Sequence, residues 1–445
     1  MRQLFQEQLP LCGPPVNHRH ARELEGVDQI LRENPGITAL VLQDLEGRAS
    51  LCGWGREGMT ADQVLRAAVL KQLNTWTYDE LSFHLADSWT YRTFCGIGVM
   101  DQAPSRATLQ RNIKGITEES WEAINRILVA YAAERRVEDG RKVRTDGTVT
   151  EAPIHHPTDS SLLWDGVRVL TRLLARARED FGVRGFPSRA RRAKRRALDV
   201  LNAKNRRKRT KAYRDLLKVT WETVGYAEAM VTQLKACGGI MADLAAAEIT
   251  RYVGLVERVI DQTERRVLHG EVVPASEKIV SLFEPHTDII VKDRRDTHYG
   301  HKLTLTAGSS GLILDWVVED GNPADSTLVT RTIERQKEIY GRVPRQIAFD
   351  GGYASQDNLK AAKKLGIRDV AFSKKRGLEV LDMAKSQWVY RRLRNFRAGI
   401  EAWISFLKRC FGLDRCSWHG ADGFARYVGA SVVAANLLTL ARHLA

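Results

Sequence analysis

The sequence predicts a mixed α/β protein whose single sheet is interrupted by a long helical insertion and preceded by an all-helical region. The first observation is the run KVRTDGTVTEAPI at residues 142–154, which is rich in Val and Thr. The second is the return of strand-like runs after residue 278, where IIVKD, HKLTLTAG, LILDWVVED and RQIAFDGGY alternate with helical patterns. The third observation is the helical pattern of about residues 162–277, which separates these two sets of strand-like runs. Such alternation of strands and helices is typical of an α/β sheet.

The helical region before the sheet divides into two parts. Residues 1–55 form an N-terminal segment with one predicted helix over residues 20–33. Residues 56–135 are predicted as a helical domain, because capping-box patterns begin two helices, at Thr60 and at Thr77, and a third helix is expected after Ser105. Arg106 and Arg111 on the third helix suit a helix-turn-helix domain that contacts DNA. A helical bundle that only packs is the alternative interpretation.

Residues 140–445 are predicted as one α/β domain with a helical insertion over about residues 162–277. The run at residues 142–154 is expected to form a strand, a tight turn at Gly147 and a second strand, because β-branched residues flank the glycine on both sides. Strands are expected again from about residue 278, with helices over residues 326–340 and 356–365 between the later ones. One sheet therefore receives strands from both sides of the insertion.

The charge of the chain indicates a polyanionic partner. Lys and Arg total 69 against 54 acids, which gives a formal net charge of +15 and a pI near 9.6. Residues 184–214 contain fourteen Lys or Arg and a single acid, Asp199. Basic side chains that contact phosphates release counterions and gain affinity. The predicted phosphate contacts in this basic stretch are Arg206, Arg207, Lys208 and Arg209, and a solvated basic face is the alternative.

Other features exclude several protein classes. The six cysteines form no C-x-x-C pair, which argues against a zinc ribbon or a disulfide framework. The first fifteen residues lack the apolar stretch of a signal peptide. The longest apolar run, residues 428–441, is too short to span a bilayer and is interpreted as a buried core helix. We therefore expect a cytoplasmic protein with reduced thiols and no membrane partner.

Three acidic residues are candidates for metal-dependent phosphodiester chemistry. That chemistry requires an activated hydroxyl and neutralised phosphoryl charge, which two divalent ions held by carboxylates can supply. Asp146 lies on the first predicted strand, and Asp350 ends an apolar strand before two glycines. Glu401 lies on an amphipathic helix, at the flank of its buried stripe, on the same side as Arg397 and Lys408. Taken singly, an Asp before a glycine turn is most often a turn residue, and a Glu between Arg and Lys on a helix is most often part of a surface ion pair.

The whole chain resembles the DDE transposases of bacterial insertion sequences, and most closely the branch described as not yet classified (ISNCY). The resemblance implies an RNase H-like catalytic domain with Asp146, Asp350 and Glu401 as its metal-binding triad and Mg²⁺ or Mn²⁺ as cofactor. The stretches that carry it are MTADQVLRAAVLKQL, YDELSFHLADS, RTDGTVTEAPIHHPTDSSLLWDGVRVL, HYGHKLTLTAGSSG, EDGNPADS, AFDGGYAS and FRAGIEAWISFLKRCFGLDRCSWHG.

The resemblance also implies DNA contacts and partners. Related transposases carry Tyr, Arg, Glu and Lys at fixed spacing around the last acid. This chain matches three of them with Arg397, Glu401 and Lys408, and has Arg394 where the relatives have Tyr. Arg394, Arg397 and Lys408 are therefore the expected DNA phosphate contacts near Glu401. The family binds double-stranded DNA at terminal inverted repeats and pairs two ends through a homodimer or a larger assembly, so a nucleoid-associated protein is expected. An RNase H-like nuclease without strand transfer and a catalytically inactive DNA-binding descendant remain the alternatives.

Several other polar residues are interpreted as structural. The pairs His155–His156 and His298–His301 lack the clustered partners of a metal site and are interpreted as strand-edge or substrate-facing residues. Turn and N-cap roles are expected for four further acids, which are Asp159, Asp165, Asp293 and Asp325.

Overall fold

The computed structural model describes residues 16–47, 58–98, 100–292 and 296–445. These residues form two compact units, one from the described parts of Met1–Thr150 and Lys302–Ala445, the other from those of Glu151–His301. The predicted boundary at residues 55–56, and the residues Cys12, Cys52 and Asp293, lie outside the described part of the chain. The cysteines among the described residues, Cys95, Cys237, Cys410 and Cys416, form no disulfide there.

Seven helices precede the first strand in the described part of the chain, and the predicted caps are present. Thr60 and Thr77 each close a capping box with the residue three positions later, and Ser105 caps the sixth helix, so these predictions are confirmed. A helix that was not predicted begins at Pro35, where the missing N–H of proline costs no hydrogen bond. The seven are α1 (Arg19–Glu33), α2 (Pro35–Glu46), α3 (Ala61–Leu73), α4 (Tyr78–Asp87), α5 (Trp89–Phe94), α6 (Arg106–Ile113) and α7 (Glu118–Glu134).

The sheet is mixed. The strands are β1 (Lys142–Glu151), β2 (Asp288–Lys292), β3 (Asp296–Ala307), β4 (Ile313–Val318), β5 (Gln346–Phe349) and β6 (Asp369–Phe372). In the first unit the order is β3–β1–β5–β6, with β4 antiparallel to β3. Strand β1 is parallel to β5, which is parallel to β6. Strand β6 was missed because a four-residue apolar run cannot be separated from a turn of buried helix by periodicity.

The predicted turn at Gly147 is wrong. Strand β1 continues through Gly147 from Lys142 to Glu151. The β-branched residues on both sides of the glycine are buried, as in a strand at the centre of a sheet. Gly147 makes room for a neighbour: a Cβ atom at this position would lie 3.3 Å from Cε of Lys302 on β3. The glycine therefore marks a close side-chain approach and not a reversal of the chain.

The second unit is mainly helical and has its own hydrophobic core. Residues of its four long helices meet in that core, including Leu163, Val200, Leu216 and Val256. The helices are α8 (Asp159–Phe181), α9 (Ala190–Leu201), α10 (Arg206–Cys237) and α11 (Ile240–Thr263). They agree with the helical pattern predicted for residues 162–277.

Five more of the described helices complete the first unit. They are α12 (Val329–Tyr340), α13 (Gln356–Lys364), α14 (Val380–Met383), α15 (Gln387–Cys410) and α16 (Ala421–Leu444). Among the described residues, α16 is the one helix long and apolar enough to cross a membrane, yet 94% of its apolar window is buried inside the protein. The prediction of a core helix over residues 428–441 is therefore confirmed.

Helix α16 joins the N-terminal helices to the sheet. A Cβ atom at Gly26 of α1 would lie 2.9 Å from Cβ of Ala441, so α1 and α16 pack closely. The buried amide of Asn436 on α16 donates to the Ile313 carbonyl of β4 and to Asn125 of α7, both at 2.7 Å, and accepts from the Ile313 N–H at 2.9 Å. The predicted helical domain at residues 56–135 thus shares one core with the sheet, and its contact with DNA stays a prediction.

Candidate active site

The register of two parallel strands brings the first two candidate acids together. Thr145 of β1 is paired with Phe349 of β5. Asp146 and Asp350 follow these partners in the chain, so they lie side by side at the same level of the sheet. Asp350 lies just past the carboxyl end of β5, where ligands commonly bind in an α/β sheet, whereas Asp146 lies in the middle of β1.

Helix α15 is fixed against β1 and presents Glu401 at the same place. Arg144 of β1 donates from Nη1 to the Phe396 carbonyl at 2.8 Å. The Phe396 ring also lies under the cations of Lys142, at 4.2 Å, and of Arg144, at 4.5 Å. Gly399 allows this approach, because a Cβ atom there would overlap Nη1 of Arg144. The helix therefore runs close enough to the strand for its polar flank to reach Asp146.

Arg397 joins all three candidate acids. Its Nη2 lies 2.7 Å from Oδ2 of Asp146 and 3.1 Å from Oδ1 of Asp350, and its Nη1 lies 2.7 Å from Oε1 of Glu401. Side-chain exposure rises from 15% at Asp146 through 38% at Asp350 to 64% at Glu401. The structure thus collects the three predicted acids around one cation, in a site that opens to solvent on the Glu401 side.

The two aspartates differ in their electrostatic environment. Burial raises the pKa of Asp146 to about 6; the Arg397 guanidinium lowers it, and the Asp350 and Asp325 carboxylates raise it. Burial also raises the pKa of Asp350, but the Ser373 hydroxyl, which donates to Oδ1 at 2.7 Å, and nearby backbone N–H groups hold it below its ordinary value. Asp350 is therefore the more firmly ionised of the two.

The donor set fits a hard divalent cation by its chemistry. Carboxylate oxygens are the ligands that Mg²⁺ and Mn²⁺ prefer, and three of them face one point. That point is taken by the Arg397 guanidinium. As the side chains stand, the described part of the chain holds no group of three or more His, Cys, Asp or Glu residues placed to hold a metal ion. To hold a divalent cation together, the three carboxylates would have to close on the position that the guanidinium leaves, because they now contact two different nitrogens of Arg397.

A fourth carboxylate, which the sequence analysis interpreted as a turn residue, lies beside the three. Asp325 does begin a short 3₁₀ turn, but its side chain accepts a hydrogen bond from Nζ of Lys302 at 2.6 Å. A Cβ atom at Gly352 would overlap Oδ2 of Asp325. The acid lies within EDGNPADS and the lysine within HYGHKLTLTAGSSG, two of the stretches that carry the family resemblance. Those stretches are the sequence features that could have identified the pair.

Tyr353 borders the same place from inside the core. Its side chain is fully buried and stacks on Phe349 with ring centroids 5.1 Å apart. Its hydroxyl has no hydrogen-bond partner among the described residues. Burial raises the pKa of Tyr353, and the charges of Asp325 and Asp146 raise it further. The tyrosine is therefore a neutral hydroxyl close to the acidic cluster.

The predicted DNA contacts of the first unit lie on α15 and α6. Arg394 and Arg111 are exposed to solvent. Lys408 is half-buried and lies 3.4 Å from Asp414. Arg106 is exposed and lies 3.2 Å from Asp79. None of these four side chains forms an ion pair with the three acids among the described residues, whereas Arg397 pairs with all of them.

In the second unit, the predicted basic contacts are exposed on the first turn of α10. They are Arg206, Arg207, Lys208 and Arg209. Other arginines of the basic stretch find acidic partners just beyond its end. Arg192 and Arg196 both pair with Asp215, and Arg189 lies 2.8 Å from Glu222. A cavity of about 660 Å³ between α9 and α10 is bordered by the basic residues Arg196, Lys204, Lys208 and Lys211. Local pairing therefore neutralises part of the stretch, whereas the four exposed basic residues at the start of α10 form no ion pair with the described residues.

Two histidines and two aspartates that the sequence singled out in the second unit contact neighbouring side chains. His298, which is paired with Ile290 of β2, lies 3.0 Å from Glu151. His301 bonds to Asp288 at 3.0 Å and to His286 at 2.7 Å. The roles expected of Asp159 and Asp165 are wrong. The N-cap of α8 is Thr158, whereas Asp159 pairs with Arg266 and Asp165 lies inside the helix beside Arg168. A helix start with several adjacent polar residues does not reveal which one caps it.

Two regions of the chain match models of transposase domains. Residues 258–437 match the family described as "Transposase DDE domain", and residues 20–115 match "Transposase domain (DUF772)". The first match includes Asp350 and Glu401 but begins after Asp146, which precedes the helical insertion. A comparison with curated proteins and with solved structures gave no match. The two matched domains support a transposase function, and the DDE domain suggests an enzyme that cleaves or transfers DNA.

Proposed function

We propose that this protein is a DDE transposase that cuts the phosphodiester at the ends of an insertion sequence and joins the released 3′ ends to target DNA. The observation that carries the proposal is the convergence of Asp146, Asp350 and Glu401 on one cationic group. The three acids come from a central strand, the end of its parallel neighbour and a helix packed on the sheet. This arrangement is compatible with an RNase H-like fold, which is part of the proposal.

In this proposal Asp146, Asp350 and Glu401 hold Mg²⁺ or Mn²⁺. When bound, such ions neutralise charge on the transferring phosphoryl group and make the attacking hydroxyl more acidic. Asp350, kept ionised by Ser373 and backbone N–H groups, is a permanent carboxylate donor. Arg394 and Lys408 lie on the same helix as Glu401 and would contact phosphates next to the scissile bond. No covalent enzyme intermediate is needed, so no Ser, Tyr or Cys nucleophile is assigned.

The proposal extends to DNA recognition and assembly. Arg106 and Arg111 on α6 are the proposed contacts of the N-terminal helices with the terminal inverted repeats, and a homodimer or larger assembly would pair the two ends. Placement in the ISNCY-like branch rests on the resemblance of the quoted stretches alone. Because the substrate is chromosomal DNA, a nucleoid-associated cytoplasmic protein is part of the same proposal.

The experiment uses labelled DNA from both sides of the gene, where we expect short inverted repeats, together with a target plasmid. With Mg²⁺ or Mn²⁺ we expect cleavage at the repeat ends and covalently joined products, and with EDTA neither. Full activity in the chelator would exclude the metal-dependent mechanism. Cleavage without joined products would identify a nuclease, and binding of the repeats without cleavage would identify an inactive descendant.

The exposed basic turn of α10 gives a second measurable expectation. Replacing Arg206, Arg207, Lys208 and Arg209 with Ala should weaken binding of repeat-containing and random duplexes alike, since phosphate contacts carry little sequence information. The slope of log affinity against log salt should become shallower by roughly 0.9 for each phosphate that the variant no longer neutralises. Fluorescence anisotropy at several salt concentrations measures both quantities.

A matched control for the basic turn is available in the same unit. It replaces four exposed basic residues outside the basic stretch, which are Arg172, Arg176, Lys235 and Arg251. This control has the same change in net charge and should retain most of the affinity and the salt slope. If the α10 variant behaves like the control, the basic stretch is a solvated face.

A further inference from the structure

Arg397 lies where the proposed function requires a divalent cation. Its two terminal nitrogens contact Asp146, Asp350 and Glu401 at 2.7–3.1 Å. The resemblance to DDE transposases made this arginine an expected contact to DNA phosphate. A guanidinium held by three carboxylates has no free fork with which to bind a phosphate, because the bidentate geometry is already used. The structure therefore assigns Arg397 a different role while no metal is bound.

The two terminal nitrogens of Arg397 form short ion pairs, whereas its third nitrogen, Nε, lacks a partner among the described residues. The side chain is 13% exposed, and Nε is buried. The third carboxylate, Glu401, is 64% exposed and lies one helical turn away at the open side of the site. Ion pairs with exposed groups contribute little to stability. The contact with Glu401, on the open side of the site, is therefore the weakest of the three.

We propose that Arg397 is a resident cation that occupies the metal position in the metal-free protein and is displaced by the divalent ion. This inference rests on the proposed function, because it assumes that the three acids bind metal. A guanidinium and a divalent cation repel each other and compete for the same oxygens, so both cannot be bound there together. The displaced guanidinium is then free to bind a DNA phosphate.

Displacement couples metal binding to DNA binding. In the metal-free protein Arg397 is unavailable to phosphate, and in the loaded protein it is available. Two ligands that favour the same arrangement of one residue strengthen each other's binding by the same factor. We therefore expect a divalent ion to tighten duplex binding and the duplex to tighten ion binding, both through Arg397.

The first experiment measures metal affinity in the absence of DNA. Mn²⁺ is titrated into the full-length protein, and free Mn²⁺ is followed by electron paramagnetic resonance. Arg397→Gln removes the competing cation, so we expect it to bind Mn²⁺ about tenfold more tightly than the wild type. Arg391→Gln, which removes an exposed arginine of the same helix, should leave the Mn²⁺ affinity unchanged. Equal or weaker binding by Arg397→Gln would overturn the inference.

Stability of the same variants gives an independent readout. Without metal, Arg397→Gln leaves three carboxylates facing one another, so we expect its melting temperature to be lower than that of the wild type. Addition of Mn²⁺ should raise the melting temperature of Arg397→Gln more than it raises that of the wild type. Arg397→Lys retains the charge but cannot bridge three carboxylates, so its Mn²⁺ affinity should lie between those of the wild type and Arg397→Gln. It also provides the test if the glutamine variant does not fold, and wild-type affinity in the lysine variant would then count against the inference.

The second experiment measures duplex affinity with Ca²⁺, which occupies carboxylate sites, and with EDTA. The wild type should bind the duplex more tightly with Ca²⁺, and Arg397→Gln should lose this difference. If the wild type binds neither Mn²⁺ nor Ca²⁺, the proposed metal-dependent function fails. If the wild type binds metal and Arg397→Gln shows the same metal affinity and the same Ca²⁺ effect on DNA, only the resident-cation inference fails.

Discussion

Replacement of Asp146 or Asp350 with Asn, or of Glu401 with Gln, is expected to lower DNA cleavage on the order of a thousandfold, since loss of a metal ligand removes several kcal/mol of transition-state stabilisation. The amide variants keep the side-chain shape and remove the charge. Binding of the duplex in EDTA should not fall below that of the wild type, because basic residues supply the affinity and the loss of a carboxylate partner loosens Arg397. Single-turnover cleavage of an end-labelled duplex measures the rate, and anisotropy measures the binding.

Glu334→Gln is the matched control for these variants, since it removes an exposed carboxylate from α12 and should cleave at the wild-type rate. Any one of the three variants that retains more than a tenth of wild-type cleavage would remove its residue from the proposed triad. A proportional loss of folded protein in circular dichroism would instead identify a structural role for that residue.

Lys302→Met is expected to destabilise the protein by about 3 kcal/mol, because removing one partner of a buried ion pair leaves the other without its counter-charge. The Lys302 side chain is 10% exposed and its Nζ bonds to Asp325 and to the Pro323 carbonyl. Asp325 is a third exposed, so water reduces the penalty. Urea unfolding at neutral pH measures the change in the free energy of unfolding.

A double-mutant cycle separates the contribution of this ion pair from that of side-chain packing. Asp325→Asn alone leaves Lys302 unpaired, whereas Lys302→Met with Asp325→Asn removes both charges and should be less destabilising than the sum of the two single changes. If the losses of unfolding free energy in the two single variants add up to the loss in the double variant, the ion pair contributes nothing to stability. The same variants test whether Lys302 and Asp325 support the acidic cluster, since a loosened loop next to Gly352 should also slow cleavage.

Local sequence patterns predicted much of the secondary structure. The capping boxes at Thr60 and Thr77 begin helices because each depends on residues three positions apart. The core helix α16 followed from an apolar run and its length. The turn predicted at Gly147 from the same kind of local pattern is wrong. The β-branched residues on both sides of Gly147 belong to one strand, and the glycine makes room for Lys302. A glycine alone does not distinguish a turn from a close approach of another segment.

The sequence by itself determined the helical and strand-forming runs, the excess of basic charge and the choice of Asp146, Asp350 and Glu401 as candidate acids. Only the tertiary structure decided that these acids face one guanidinium, that Asp325 with Lys302 lies beside them, and that the N-terminal helices share a core with the sheet. The physical reason is the range of the interactions. Caps and periodicity act over one or two helical turns, whereas Arg397 reaches Asp146 across 251 positions of the chain through the β1–β5 register and the packing of α15 on β1.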